Sequence, residues 1–560
     1  MGELASRARI LDEIALGAMF LLSIYTILLY HVNTVDVSAP LLSWLPPTYW
    51  LILPIGIALL AHQIWSDSTG RFGYLVLFAV VFALFLVPEI IETGVRVRDS
   101  YSYVYLASYV TNPTVFNNMS YSQIGYLQNW PGFAWLVAFF DEVTGLGYYT
   151  GAKILLLIEQ LTLLVVSLGL GRALFKSTRG TLISGCIALG LVWDVWSAIV
   201  PQLLGEILFV VFVSLLLLPI NRKAYVPLTI VFAAATISHG ITAIQSIAIL
   251  VLATIVAWIG RKPVSELMNY GILSRLSNNR LRKLSGAKGG LIGLFIIIFA
   301  VWFLLEPTAI NSYNLISSLN FIFGAGTSPL TSQLGYLTPA RYDSVLTAAV
   351  YLALIGFWVV VSFALSLKLR RTIDLSSILI LILVSGLMYV FLPTSQDFYD
   401  RFFQAGFPFL LWFLSTSNID VGKRLKTITT AMIILTLVLG FTAGYSHEAT
   451  EIYPLTENSG ASFILSYTPQ SATVSYLTDG PTAQGLSDLP QAPLILELTP
   501  NLASIRSSLI QSQIIVDSGV VRTGLYYYFG SDEDLETYIR TSSLNLVYQN
   551  GLFDVYSKFA

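Results

Sequence analysis

Nine polar residues set among long apolar stretches have the types to do chemistry on a charged substrate: Asp99, Glu206, Gln202, His239, Arg98, Lys153, Asp397, Asp400 and Arg401. A carboxylate within reach of a hydroxyl can take its proton, and Asp99 suits that work. It heads the run Asp99-Ser-Tyr-Ser-Tyr-Val-Tyr-Leu-Ala-Ser-Tyr-Val, which reads as a tyrosine-rich amphipathic helix at headgroup depth. The competing reading makes Asp99 the N-cap of that helix. Gln202 and Glu206 stand at the head of the apolar stretch Leu203 to Ile220. An ionisable group there is costly unless it faces a polar cavity or snorkels to the interface. His239, in Ile237-Ser-His-Gly-Ile-Thr, falls at the tip of a short hairpin, either lining a site or serving as a hydrogen-bonded structural residue. Arg401 sits in Asp397-Phe-Tyr-Asp400-Arg401-Phe-Phe-Gln-Ala-Gly-Phe-Pro408. Its planar fork matches phosphate oxygens, unless Asp397 or Asp400 pairs with it.

The elements that must hold these residues are membrane helices. Hydrophobic residues make up 55% of the 560 and charged ones 11%, where an average soluble domain has about a quarter charged. Thirteen apolar segments approach the roughly 20 residues needed to cross a bilayer core. They are Leu11 to Tyr30, Tyr49 to His62, Gly73 to Ile91, Ala152 to Phe175, Thr181 to Ile199, Leu203 to Ile220 and Tyr225 to His239. Ile241 to Trp258, Gly289 to Leu305, Val345 to Leu367, Ser376 to Leu392, Phe402 to Phe413 and Thr427 to Tyr445 complete the set, for a total of 11 to 13 transmembrane helices.

Loop charge supports one threading. Short cytoplasmic loops carry the Lys and Arg excess, and with the N-terminus inside, 21 of the 30 basic residues fall in alternate loops on the cytoplasmic side. The expectation is a multi-pass plasma-membrane protein with its C-terminal domain outside the cytoplasm. Two arginines before the first span suit an uncleaved signal anchor, because Val37-Ser38-Ala39 is followed by Pro40, a poor cleavage context. The lone Cys186 excludes an internal disulfide and a Cys-rich metal site. A formal charge of −2 argues against nucleic acid as a partner.

Two regions outside the spans stand apart. The outer loop 92–151 carries the Asp99 helix and then Trp130-Pro131-Gly132-Phe133-Ala134-Trp135-Leu136-Val137-Ala138-Phe139-Phe140, a proline-led segment broken by Gly145 and Gly147 ahead of Lys153. The tail 446–560 alternates apolar and polar residues and is cut by Asp479-Gly480-Pro481 and Asn550-Gly551. Asn550-Gly551 lies between Leu544 to Tyr548 and Leu552 to Tyr556 and predicts a hairpin. The chain therefore divides into a membrane domain, 1–445, and a small extracytoplasmic α/β or mostly β domain, 446–560.

The acid after an early span, the two interfacial helices, the Pro-led segment ending in Gly, and the long span closed by Gly171-Arg172-Ala173-Leu174-Phe175 together resemble the GT-C superfamily of polyprenyl-phosphate-sugar glycosyltransferases. That superfamily includes the protein O-mannosyltransferase and aminoarabinose transferase groups. The likeness is best over Val95 to Leu218, with the Arg401 segment before Pro408 adding to it. It implies a polyprenyl- or dolichyl-phosphate-linked sugar as donor, a glycan, lipid or protein hydroxyl as acceptor, and inverting transfer of a hexosyl or pentosyl group. In that reading Asp99 is the general base and Glu206 a second catalytic acid. Arg401, Arg98 and Lys153 hold the donor phosphate, with His239, Gln202, Asp397 and Asp400 lining the site. The long loop has no Asp-x-Asp pair, which favours chemistry without a metal or other cofactor. The Trp-Trp-Asp-Tyr-Gly motif of oligosaccharyltransferase is absent, which argues against transfer of a whole glycan to asparagine. A transporter or lipid flippase, which would carry related halves and midplane charges, and a non-catalytic scaffold are the competing functions.

Overall fold

The computed structural model describes residues 2–29, 45–65, 70–91, 95–96, 103–104, 106–107, 110, 130–191, 199, 201–217, 225–259, 288–305, 356–361, 364, 406–417, 423–446, 452–453, 463–464, 467, 473–476, 494–497, 514–518, 535, 539–540, 542, 544–549 and 553–558. The eleventh expected span, 376–392, and most of the tenth, 345–367, lie outside them.

The described membrane domain is helical. Its helices are α1 (Gly2–Leu29), α2 (Pro47–Trp65), α3 (Arg71–Ile91), α4 (Gly132–Thr144), α5 (Tyr148–Phe175) and α6 (Thr178–Leu191). They continue with α7 (Pro201–Leu217), α8 (Tyr225–Ser238), α9 (Gly240–Ile259), α10 (Lys288–Leu305), α11 (Phe407–Ser417) and α12 (Lys423–Ser446). Four segments, Arg9–Leu29, Pro47–Trp65, Arg71–Ile91 and Tyr148–Phe175, are long and apolar enough to cross a bilayer, and shorter apolar helices accompany them. The protein is a multi-pass membrane protein of mostly α-helical build. The twelfth expected span, 402–413, starts later than the apolar run, because Pro408 fits only the first turn of α11.

Contacts between helices fix their directions. Leu182 lies against Gly73, and Leu77 against Gly185, so α3 and α6 run side by side in the same sense. Helix α5 returns antiparallel to α6, with Gly171 against Ser184 and Leu164 and Leu168 against Gly185. Helix α12 follows α6, since the Trp65 indole donates to Thr430 near its start and Gly440 meets the Gly190 backbone near its end. Only glycines permit that approach, the small-residue contact by which membrane helices pack. Trp358 Nε1 donates to Thr436 Oγ1 at 3.0 Å one turn before Gly440.

One end of this bundle is basic. It carries Arg9, Arg71, Arg172, Lys176, Arg179, Lys423, Arg424 and Lys426. Asp12 is bonded there to His62 (3.0 Å) and Gln63 (2.7 Å), and Arg179 Nε donates to Ile64 O at 2.7 Å. The opposite end receives α3, α6 and α12 at their C-termini and α5 at its N-terminus.

Two strands rise from that opposite end. β1 (Val95–Arg96), just after α3, pairs antiparallel with β2 (Ile452–Tyr453), just after α12. The tail then builds a sheet of β3 (Thr473–Tyr476), β4 (Leu494–Glu497), β5 (Ile514–Ser518), β6 (Asn545–Gln549) and β7 (Phe553–Ser557), in the order β4-β3-β5-β7-β6. β3 is parallel to both β4 and β5 while β5, β7 and β6 pair antiparallel, so the sheet is mixed. The expected hairpin across Asn550-Gly551 is present as the antiparallel pair β6 and β7, with a register shift between Leu546 and Tyr548. Val474, Ile515, Val516 and Val555 form the buried centre of the sheet.

Candidate functional site

Helix α4 organises the end of the bundle away from the basic residues. Pro131 caps its start with φ −73°, and Gly145 closes it in the left-handed region at φ 67°, its N–H bonded to Asp141 O at 2.7 Å. Both follow from local chemistry, because proline presets a helical φ and glycine alone adopts the left-handed cap without cost. At the start of α4, Gly132 lies against Ser238 and the Ile237 carbonyl. Toward its other end Phe140 and Asp141 lie against Gly151 of α5. The helix is about 20 Å long and so lies across the bundle end, from the α8–α9 junction to the head of α5. Its outward stripe, Trp135, Phe139 and Val143, is exposed while Phe133, Ala134, Val137 and Ala138 are buried. That is the pattern of a helix lying in a membrane interface.

The inner flank of α4 meets a polar cluster. His239 is the single residue between α8 and α9, 3% exposed, with Nδ1 2.8 Å from Thr242 Oγ1. Gly205 of α7 packs so closely on this pair that a Cβ there would stand 2.9 Å from His239 Nδ1. Glu206 follows in the same turn, buried, and its Oε1 finds no hydrogen-bond partner among the described residues. On the other side the Trp130 indole presses on Gly240 with no room for a side chain. Ser238, Thr242, Gln245 and Ser246 are buried around the junction. A buried carboxyl oxygen without a donor is rare in folded proteins and marks a place where a ligand's hydroxyl would be welcome.

Of the residues expected to do chemistry, the structure draws Glu206 and His239 into one neighbourhood and sets half-buried Gln202 one turn before Glu206 on α7. Lys153 is half-buried in the first turns of α5, at the far end of α4. Arg98, Asp99, Asp397, Asp400 and Arg401 lie outside the described residues. Tyr103, Val104, Leu106 and Ala107 from the same outer loop are helical and buried, and Tyr103 meets Phe133 edge to face at 5.6 Å. Trp130, Ser238 and Thr242 were not singled out from sequence as site residues. The signal that could have found them is glycine. Gly132 and Gly240 open α4 and α9 and Gly205 interrupts α7, where glycine weakens a helix, and each stands where another chain segment comes close.

Glu159 stands apart from this cluster. It is buried within α5, and neither carboxylate oxygen has a partner among the described residues.

No family model matches the sequence, and no curated protein matches it. Among solved structures the chain is similar to ArnT from Cupriavidus metallidurans in the apo state, at 13% identity and a TM-score of 0.46, covering 87% of this chain and 98% of that one. It is similar to the same protein bound to undecaprenyl phosphate at 14% identity and a TM-score of 0.46, with the same coverage. It is also similar to the Archaeoglobus fulgidus oligosaccharyltransferase tethered to an acceptor peptide, at 10% identity and a TM-score of 0.45, covering 88% of this chain and 72% of that one.

Proposed function

We propose that this chain is an integral membrane glycosyltransferase that moves a sugar from a polyprenyl-phosphate donor to an acceptor hydroxyl on the extracytoplasmic face. The observation that carries the reading is the polar cluster itself. Glu206, buried and with one carboxyl oxygen unbonded among the described residues, directly follows Gly205, which packs on His239 and Thr242 beneath α4, at the end of the bundle to which the outer loop and the C-terminal domain both attach. A lipid-borne sugar must be met at this depth, with its tail among the helices and its phosphate at the headgroups. ArnT with undecaprenyl phosphate bound exemplifies the class of lipid carrier meant.

The chemistry is a single displacement. Asp99, in the outer loop, takes the proton of the acceptor hydroxyl as its oxygen attacks the anomeric carbon. The bond from that carbon to the phosphate oxygen breaks, and the polyprenyl phosphate leaves as a monoester. Attack opposite the leaving group inverts the anomeric configuration. Negative charge grows on the phosphate, so fixed cations stabilise the transition state more than the ground state. Arg401, Arg98 and Lys153 are the candidates. Glu206 and His239 hold hydroxyls of the sugar or acceptor in line, with Gln202 and the acids Asp397 and Asp400 around them. One phosphate neutralised by arginine and lysine requires no divalent cation.

The gathering of basic residues at the opposite end supports a cytoplasmic placement of that end. The N-terminus is then cytoplasmic and the C-terminal domain extracytoplasmic.

The test uses the purified full chain with a polyprenyl-phosphate-linked sugar and a membrane acceptor fraction. Transfer is expected, and Asp99→Asn is expected to lower kcat by about 10² to 10⁴-fold with the melting temperature unchanged. Wild-type turnover in that variant removes the base role, and inhibition by EDTA overturns the metal-independent mechanism.

A further inference from the structure

Hydroxyls in the helices around the polar cluster share a habit. Ser214 of α7, Thr236 of α8, and Ser246 and Thr254 of α9 each donate to the backbone carbonyl four residues earlier, at 2.6 to 2.8 Å. Thr242, in the first turn of α9, departs from it. Its Oγ1 lies 2.8 Å from His239 Nδ1, and among the described residues the hydroxyl has no other hydrogen-bond partner. Both residues are buried, Thr242 at 2% exposure and His239 at 3%. A buried hydroxyl has one hydrogen to give, and leaving it without an acceptor is costly. If the ring hydrogen sat on Nδ1, that N–H would donate to Oγ1 and the hydrogen of Thr242 would have no place to go. Thr242 therefore donates, Nδ1 accepts, and the neutral imidazole carries its hydrogen on Nε2. The backbone holds the ring in this setting, since the His239 N–H donates to Ala235 O at 2.8 Å and the His239 carbonyl accepts from the Thr242 N–H at 3.0 Å. Helix α7 closes over the pair at Gly205, where a Cβ would stand 2.5 Å from Thr242 Oγ1 and 2.9 Å from His239 Nδ1.

We propose that Thr242 is a positioning residue that fixes His239 as a hydrogen-bond donor, through Nε2–H, to an oxygen of the lipid-borne sugar or of its phosphate. A base must meet its substrate with a lone pair, and a nitrogen that carries a hydrogen has none to offer. In this role His239 orients or stabilises an oxygen and takes no proton. The proposal rests on reading the neighbourhood of Glu206 and His239 as the transfer site.

The tautomer is read without turnover. In the full chain labelled with 15N-histidine, about two pH units above the ordinary imidazole value of about 6.5, the ring signals missing from His239→Gln are those of His239. A protonated Nε2 and an unprotonated Nδ1 are expected, with that preference lost in Thr242→Val and kept in Thr242→Ser. A hydrogen on Nδ1 in the wild type overturns the proposal. Turnover reads the consequence. Glutamine sets an amide N–H near the place of Nε2–H and can donate, but it cannot act as a base. His239→Gln should therefore keep kcat/KM within about 10-fold of wild type, whereas His239→Leu should lose about 10². Equal losses in the two variants overturn the donor role. Thr242→Val should lower kcat/KM about 10-fold, the worth of one hydrogen bond, at an unchanged melting temperature, and Thr242→Ser should restore it. Wild-type turnover in Thr242→Val overturns the positioning role. Binding of polyprenyl phosphate without its sugar tells the two oxygens apart: weaker binding in His239→Leu assigns the phosphate, and equal binding assigns the sugar. A wild-type chain that shows the expected tautomer and transfers no sugar would overturn the transferase reading. Transfer with the hydrogen on Nδ1 would overturn only the donor role, so the two failures are distinct.

Discussion

The two ends of the bundle use polar residues in opposite ways. At the basic end they are consumed in holding helices together. Arg179 bonds the Ile64 carbonyl and lies 5.0 Å over the Trp65 ring, Trp65 reaches Thr430, and Asp12 joins His62 and Gln63. Each of these links two helices distant in sequence. At the other end the contacts are made by glycines, Gly132, Gly205 and Gly240, which crowd Ser238, His239, Thr242 and Trp130, and Glu206, next after Gly205, is buried with a carboxyl oxygen that has no partner among the described residues. A polar group bonded across helices stabilises the fold. One that is buried and unbonded costs stability, and is retained where a ligand or reaction uses it.

The largest effect that tests this contrast is at Glu206. Glu206→Gln keeps the shape and removes the ionisable carboxyl, so kcat should fall by about 10² or more while the melting temperature holds or rises. A lower melting temperature with full turnover would make Glu206 a structural residue and erase the difference between the ends. Arg179→Ala should give the reverse signature. Losing a hydrogen bond from a charged donor costs about 1.5 to 3 kcal/mol, read in denaturant or thermal unfolding in detergent, with turnover per folded molecule unchanged. A drop in kcat at constant stability would show that the basic end reaches the site.

The contrast was only half visible in the sequence. The spans were legible because apolar length and alternate basic loops are strong signals, and the boundaries of α2, α5, α8 and α9 lie within a few residues of those expected. Candidates Glu206 and His239 were legible because each is a polar residue inside an apolar stretch. Their proximity was not, because 32 residues separate them and the contact runs through Gly205, which has no side chain to advertise it. The β1–β2 pairing was equally hidden. Two-residue strands lack the alternation that marks longer ones, and this pair joins positions more than 350 residues apart. The parallel pairing of β3 with β4 and β5 was illegible for a related reason, since parallel neighbours are chosen by tertiary crossover and not by local pattern.

The smallest effect concerns α3, which leads into the outer loop. Pro88 has no N–H to offer the Leu84 carbonyl one turn earlier, and the helix widens to a π segment at Phe82–Leu86 just before it. Tyr49 Oη donates to the Leu84 oxygen at 2.7 Å from α2. Tyr49→Phe therefore leaves a buried carbonyl short of a donor and should cost about 1 kcal/mol. In a Pro88→Ala background residue 88 regains an N–H, so the same tyrosine change should cost less, and the double-mutant cycle isolates the difference. Additive losses would mean that the hydroxyl contributes independently of the backbone bond missing at Pro88. Coupled losses would instead make the α2 hydroxyl the substitute for a missing backbone bond. The polar link would then belong with those of the basic end, although it lies two turns before the C-terminus of α3, toward the opposite end.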